Sequence, residues 1–386
     1  MAEVVKRLEI IKSSIAIEDE DVIELQIMKL QKLDVDDDIK AILEKLEDIN
    51  YTKALKDIDI CFEKNNKILN TIIIAGSNGT GKTTILESIY NYLEEYDIFS
   101  KNIPISFKFE GKERTLLRNW KNDKKDIKNL EKEKSLPKII YMPTELNFKK
   151  LNTKTTTLKL DYKFLNKVDS KLIEDIPSYI ASKVIETANN NEDLTMKQAK
   201  ELVFKEINDI FEILKLNVKL TGISKDAESM PIFTNHLGVE FDINDLSSGE
   251  KQLFLRTLAI KMMEPKNSII MIDEPESSLH PKWQQRIVKV IERIGENNQI
   301  ILATHSPHIL GSVPKENIIL LIKGEKGIIV SKTGDELYDS YGQPVGRILE
   351  DIMGLETDRN PEVYLKLEEV RKMVRDNKYD TKEFEN

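Results

Sequence analysis

The chain has 386 residues, of which 40% are apolar and 32% charged, with 15 Gly and 12 Pro. That balance excludes a collagen-like, mucin-like or wholly disordered chain, and length alone suggests two to three structural units. The formal net charge of −9 excludes an electrostatic footprint for nucleic acid over the whole surface.

The opening residues MAEVVKRLEI lack the apolar core and cleavage site of a signal peptide. No stretch approaches the roughly 20 continuous apolar residues a membrane span needs. Cys61 is the one cysteine, so no intramolecular disulfide can form, and a reducing cytoplasm is expected. No histidine lies near Cys61 in sequence, and it reads as a helix packing residue, not a nucleophile.

In chain order, Val4–Ile11 reads as a short strand. An acidic helical segment then fills 18–60, with 12 acids against 4 lysines between Glu18 and Asp48. Ile39, Ile42, Leu43, Leu46 and Ile49 recur at three and four, and 52–62 reads as the partner helix. Thr71–Ala75 is β-branched and predicts a buried parallel strand, followed by helical periodicity over 82–96. Strands with a turn at Gly111 are expected over 103–118. Lys112–Lys138 carries 10 bases against 5 acids, a local basic run able to meet nucleic acid or to be a plain solvated face. Ile139–Met142 is apolar and precedes Pro143. The pattern is helical over 161–216, with a break near 189–193, and short strands and loops are expected over 217–241. Ile269–Ile272 and Gln299–Ala303 are further buried strands, with a helix at 282–294 between them. Residues 317–331 read as a hairpin turning near Gly324 and Gly327, and the last 50 residues as polar helices fraying beyond about 375.

These elements predict an α/β chain with five parts. They are an N-terminal strand with its acidic helical insertion at 1–65, a first α/β segment at 66–118, a charged helical insert at 119–216, a second α/β segment at 217–335, and a helical tail at 336–386.

Three strand ends carry chemistry. Gly76-Ser77-Asn78-Gly79-Thr80-Gly81-Lys82-Thr83 satisfies G-x-x-x-x-G-K-[ST] between a strand and a helix, with Thr84 following. Glycines let the backbone wrap phosphates with its N–H groups inward, and the helix start favours the same anion. Lys82 is placed for the β and γ phosphates of ATP and the Thr83 hydroxyl for Mg²⁺. Asp273 and Glu274 end the second strand, where an unpaired buried charge is costly. Asp273 can hold the magnesium, and Glu274 can polarise the attacking water. The third strand ends in Thr304 and His305, beyond which phosphates lie in a parallel sheet. His305 can therefore contact a γ-phosphate or the water. His308 reads as structural, and the four histidines have no zinc-like spacing. Upstream, Ser247-Ser248-Gly249-Glu250 precedes an apolar helical pattern, a second anion-binding helix start.

With LSSGEKQ at 246–252, SIIMIDEPE at 268–276, Ser277-Ser278-Leu279-His280 and ATHSP around His305, the sequence resembles the ABC-type ATPase superfamily. The resemblance implies a P-loop NTPase fold with an ABC-type head, a mixed or parallel central sheet, and a helical arm or lobe between the phosphate loop and the signature motif. It also implies a homodimer in which Ser248 and Gly249 of one copy face the γ-phosphate bound at Lys82 and Thr83 of the other. His280 stands where transporter ATPases have aspartate, and Lys82 to Ser248 spans 166 residues, so the RecF, SMC and OLD branch fits better. Within it, 66–360 is similar to the small AAA-type ATPases of bacterial anti-phage defence, notably the ATPase subunits of Septu and Septu-like retron systems. Such ATPases work with a separate effector, often an HNH nuclease. A RecF- or SMC-like DNA-binding ATPase, an ATP-sensing scaffold without turnover and a transporter subunit remain alternatives.

Overall fold

The computed structural model describes residues 7–8, 60–61, 63–64, 67–99, 105–109, 112–116, 138–144, 146, 151, 165–225, 229–324 and 327–376. Its strands are β1 Arg7–Leu8, β2 Ile60–Cys61, β3 Glu63–Lys64, β4 Lys67–Ile68, β5 Thr71–Gly76, β6 Ile105–Phe109, β7 Lys112–Leu116, β8 Ile139–Met142, β9 Leu165–Lys167, β10 Val218–Ile223, β11 Pro231–Asn235, β12 Glu240–Asp242, β13 Ile269–Asp273, β14 Gln299–Thr304, β15 Ile318–Lys323 and β16 Ile329–Thr333. Its helices are α1 Lys82–Phe99, α2 Ser170–Glu174, α3 Ile176–Asn189, α4 Met196–Phe211, α5 Ser248–Met262, α6 Pro281–Gln284, α7 Ile287–Glu292, α8 Pro307–Leu310, α9 Val345–Arg347 and α10 Pro361–Arg375.

The centre is a seven-stranded sheet in the order β16-β15-β5-β14-β13-β8-β9. Six of these strands run parallel, and β16 joins the edge antiparallel through the hairpin from β15. β5, β13 and β14 are continuous apolar runs, not alternating ones, because helices cover both faces and every residue in them is buried. Their β-branched side chains suit that environment. The fold is therefore α/β with a mixed, mainly parallel central sheet flanked by helices.

A smaller antiparallel sheet, β10-β11-β12, carries a bulge between Leu220 and Gly222. It is tied to the helical part by Phe254 of α5, which meets Phe211 of α4 at 4.2 Å and Phe233 of β11 at 4.9 Å between ring centroids. These rings belong to one continuous core that also includes Ile180, Ile207, Leu302 and Ile352. α4 and α5 each start with a capping box, Thr195 with Gln198 and Ser247 with Glu250.

The expected strands at 71–75, 269–272 and 299–303, the helix from 82 and the 317–331 hairpin are all present, and the apolar Ile139–Met142 is a strand as well. Three expectations change. Ile60–Cys61 is a strand paired antiparallel with Arg7–Leu8, not the end of a helix, so Cys61 is no helix packing residue. The period-two alternation of Asp57-Ile58-Asp59-Ile60 carries the strand signal that the helical reading passed over. Leu165–Lys167, inside the expected 161–216 helical stretch, forms the edge strand that satisfies the outer backbone of β8. The helix expected at 282–294 is broken at Gln285–Arg286, where the Arg286 guanidinium donates to the Ile213 carbonyl at 3.1 Å. The acidic helical segment, apart from Ile60, and most of the 112–138 basic run lie outside the described residues. Among the described residues no helix is long and apolar enough to cross a membrane.

Candidate functional site

Register alone brings the three motif-bearing strand ends together. β14 lies between β5 and β13, with Thr304 opposite Ala75 and Ala303 opposite Asp273. Gly76, Asp273 and Thr304 thus sit on one edge of the parallel sheet, where open α/β sheets take ligands.

The glycine loop runs from β5 into α1. Gly79 and Gly81 have φ of +75° and +84°, in the left-handed region that favours glycine. A Cβ on Gly76 would lie 2.7 Å from the Leu321 carbonyl oxygen of the neighbouring strand. Ser77, Asn78 and Gly79 are exposed, and the buried Thr80 hydroxyl donates to the Ser77 carbonyl at 2.8 Å. Lys82 is buried, its ammonium donating to the carbonyls of Gly76 at 2.9 Å and Ser77 at 3.1 Å. Burial lowers its pKa, against the opposing field of Glu274, Asp273 and Glu276. Thr84 is half-buried one residue beyond Thr83.

The Thr83 hydroxyl donates to Asp273 Oδ2 at 2.7 Å. Asp273 is 1% exposed, and its other oxygen, Oδ1, is buried with no hydrogen-bond partner among the described residues. An orphan carboxylate oxygen beside a threonine hydroxyl and a phosphate loop fits a hard divalent cation that takes its other ligands from phosphate and water. Among the described residues no larger cluster of His, Cys, Asp and Glu could hold a metal by itself.

Glu274 has φ of +46°, a strained value for a residue with a side chain. Its N–H donates to the Ala303 carbonyl at 2.9 Å, and its carbonyl accepts from Ser277 N at 3.1 Å. This turn leads its carboxylate to His305, with Oε1 3.1 Å from Nδ1. Lys82, Thr83, Asp273, Glu274 and His305 thus form one constellation, as their motifs suggested.

Ser247 caps α5, and Ser247 and Ser248 are exposed at its start, with Gly249 and Glu250 half-buried. A Cβ on Gly249 would lie 2.9 Å from the Ser278 carbonyl oxygen, so this helix start is pressed against the turn after β13. Among the described residues no hydrogen bond or ion pair links Ser247–Glu250 to the 76–84 loop of the same chain.

Two residues at this site were not singled out from the motifs. Arg256, 7% exposed within the apolar run of α5, donates to the carbonyls of Asp273 at 2.9 Å, Pro143 at 3.2 Å and Glu274 at 3.4 Å. Burial lowers its pKa, opposed by Glu276, Asp273 and Glu274. Glu276 lies beneath the end of β14, and burial raises its pKa. The available signals were an arginine in the otherwise apolar LFLRTLAI and a second acid in DEPE.

The family model described as "AAA domain, putative AbiEii toxin, Type IV TA system" (AAA_21) matches residues 107–311, more than half of the chain. The chain belongs to the AAA_21 family. The matched region takes in the signature helix, Asp273-Glu274 and His305, while the glycine loop lies before it. Among curated relatives, the chain is 29% identical over 324 residues to "Septu protein PtuA" of Bacillus thuringiensis, covering 75% of this chain and 80% of that protein. It is 32% identical over 238 residues to "Retron Vc95 probable ATPase" of Vibrio cholerae serotype O1 biovar El Tor, covering 57% of this chain and 43% of that one. The chain therefore spans less than half of the retron protein's length. Among solved structures, the SMC head domain from Thermotoga maritima aligns with a TM-score of 0.39 and 16% identity, over 72% of this chain and 93% of that one. The AAA_21 chain is thus a P-loop-type ATPase domain related to defence-associated ATPases.

Proposed function

We propose that the chain is a Mg²⁺-dependent ATP hydrolase whose two copies close on ATP, and that closure controls a separate effector in anti-phage defence. The observation that carries the hydrolase reading is the Thr83–Asp273 contact at 2.7 Å beside the Glu274–His305 pair at 3.1 Å.

In this reading the inward N–H groups of residues 76–84 hold the phosphates, and Lys82 turns from the loop carbonyls to the β and γ oxygens. Thr83 and Asp273 would hold Mg²⁺, which when bound neutralises phosphate charge. Glu274 orients the attacking water and takes its proton, while His305 fixes the Glu274 carboxylate and reaches the γ-phosphate. Such chemistry depends on positioning and charge stabilisation, not on a covalent intermediate. Ser248 and Gly249 complete the site of a second copy, their helix start offering free N–H groups to its γ-phosphate. The exposure of Ser247 and Ser248 supports that role.

Effector control rests on the likeness to the Septu protein and the retron ATPase. The effector is read as a nuclease in a separate chain, often of HNH type in the ATPases this sequence resembles. The test is ATP turnover together with solution mass, with and without ATP, for the wild-type chain and Glu274→Gln. Turnover by the wild type and ATP-dependent dimers that persist in the variant are expected. Native-rate hydrolysis by the variant would overturn the assignment of Glu274. Co-purification of a nuclease encoded by a neighbouring gene, with phage protection lost on deletion, tests the defence role.

A further inference from the structure

His305 side chain is 44% exposed. Packing therefore does little to fix the imidazole, and a ring that must meet a carboxylate needs its main chain held. Glu276 supplies that hold. Its Oε1 accepts from the Thr304 hydroxyl at 2.5 Å and from His305 N at 3.0 Å, and lies 3.6 Å from His305 Nδ1. The Thr304 oxygen in turn accepts from Ser306 N at 2.9 Å, and the Ser306 hydroxyl donates to Gln284 Oε1 of α6 at 2.7 Å. One carboxylate thus anchors two successive residues at the end of β14 and, through the Thr304 oxygen, the third.

Keeping that carboxylate is costly. Glu276 is 5% exposed and its Oε2 is buried without a hydrogen-bond partner among the described residues. An unsatisfied buried acid persists where its other oxygen has a task.

We propose that Glu276 is a positioning residue for hydrolysis: it fixes the Thr304–His305 main chain so that the imidazole meets Glu274, without itself touching nucleotide. This rests on the hydrolase reading and adds a residue to that site. The acceptor oxygen is the working part, so glutamine, which keeps a carbonyl at that place, should substitute where alanine cannot.

The experiment compares the full chain with Glu276→Ala, Glu276→Gln and Thr304→Val. Alanine should lower kcat by about tenfold or more with KM little changed, and glutamine should recover it to within about threefold. The second readout is the histidine ring NMR spectrum, with His305 assigned by its loss in His305→Ala. Alanine should move the His305 resonance while those of His236 and His280 stay in place. If the alanine variant does not fold, Thr304→Val carries the test, with a moved His305 resonance and lowered kcat expected. An unmoved His305 resonance, or glutamine as damaging as alanine, overturns the proposal. Wild-type protein without turnover would instead overturn the hydrolase reading, and the NMR comparison would still decide whether Glu276 positions His305.

Discussion

Thr83 lies in the first turn of the helix after the glycine loop and Asp273 ends a strand two places away in the sheet, yet the threonine hydroxyl donates to Asp273 Oδ2 across 2.7 Å. That contact joins residues 190 positions apart in sequence and leaves Asp273 Oδ1 as a free buried acceptor. Asp273→Asn removes the negative charge while keeping the hydrogen-bonding shape. Its ATP turnover should require more Mg²⁺, with the half-saturating concentration up about tenfold or more, because a charged ligand to a hard cation is lost. A Mg²⁺ titration of turnover checks this, and an unchanged midpoint would place the cation elsewhere.

Lys82 is held by two loop carbonyls, at 2.9 and 3.1 Å, so its ammonium stands within the loop and must exchange these carbonyls for phosphate oxygens. Lys82→Ala should weaken ATP binding by about 10- to 100-fold, since a hydrogen bond to a charged group contributes about 1.5–3 kcal/mol. Fluorescent nucleotide titration reads the change directly. Binding at native strength would show that the loop does not grip nucleotide through this residue.

The Glu274 carboxylate stands 3.1 Å from His305 on a backbone with φ of +46°. Glu274→Gln keeps the shape and removes the base. General-base catalysis contributes about 10²–10⁴ in rate, so kcat should fall within that range while nucleotide affinity holds. Single-turnover measurements separate the two quantities. A matching loss of affinity would mean that Glu274 supports binding, not chemistry.

The strand ends were legible in the sequence because short β-branched runs flanked by glycine or acid have few other uses. Asp273, Glu274 and His305 followed from their places at those ends. What the motifs could not give was the support beneath them. Arg256 lies in a helix buried on every side over Leu253–Ile260, a pattern that does not say which partner a buried arginine would find. Glu276 sits on a turn, and its bonds to Thr304 and His305 depend on β13 and β14 being neighbours, a fact of strand order that no local pattern encodes. The broken helix at 281–292 was missed for the same reason, because the Ile213 carbonyl that receives Arg286 belongs to a distant segment.

Arg256 provides the sharpest stability prediction. Its guanidinium donates to the carbonyls of Asp273, Glu274 and Pro143 and offsets the buried charges of Glu276 and Asp273. Arg256→Ala would strip donors from three carbonyls and remove a buried cation whose field reaches Glu276 and Asp273. A buried carbonyl left without its donor costs about 1–3 kcal/mol, so a loss of about 3 kcal/mol or more is expected. Arg256→Met keeps most of the volume but not the charge, so the two variants should be destabilised alike if electrostatics dominates. If packing dominates, methionine should recover most of the loss. Urea unfolding of the two variants beside the wild type decides between these outcomes, read from the midpoint at constant slope. A shift under about 1 kcal/mol in both would mean that the Arg256 donors are not what holds the turn after β13 in place.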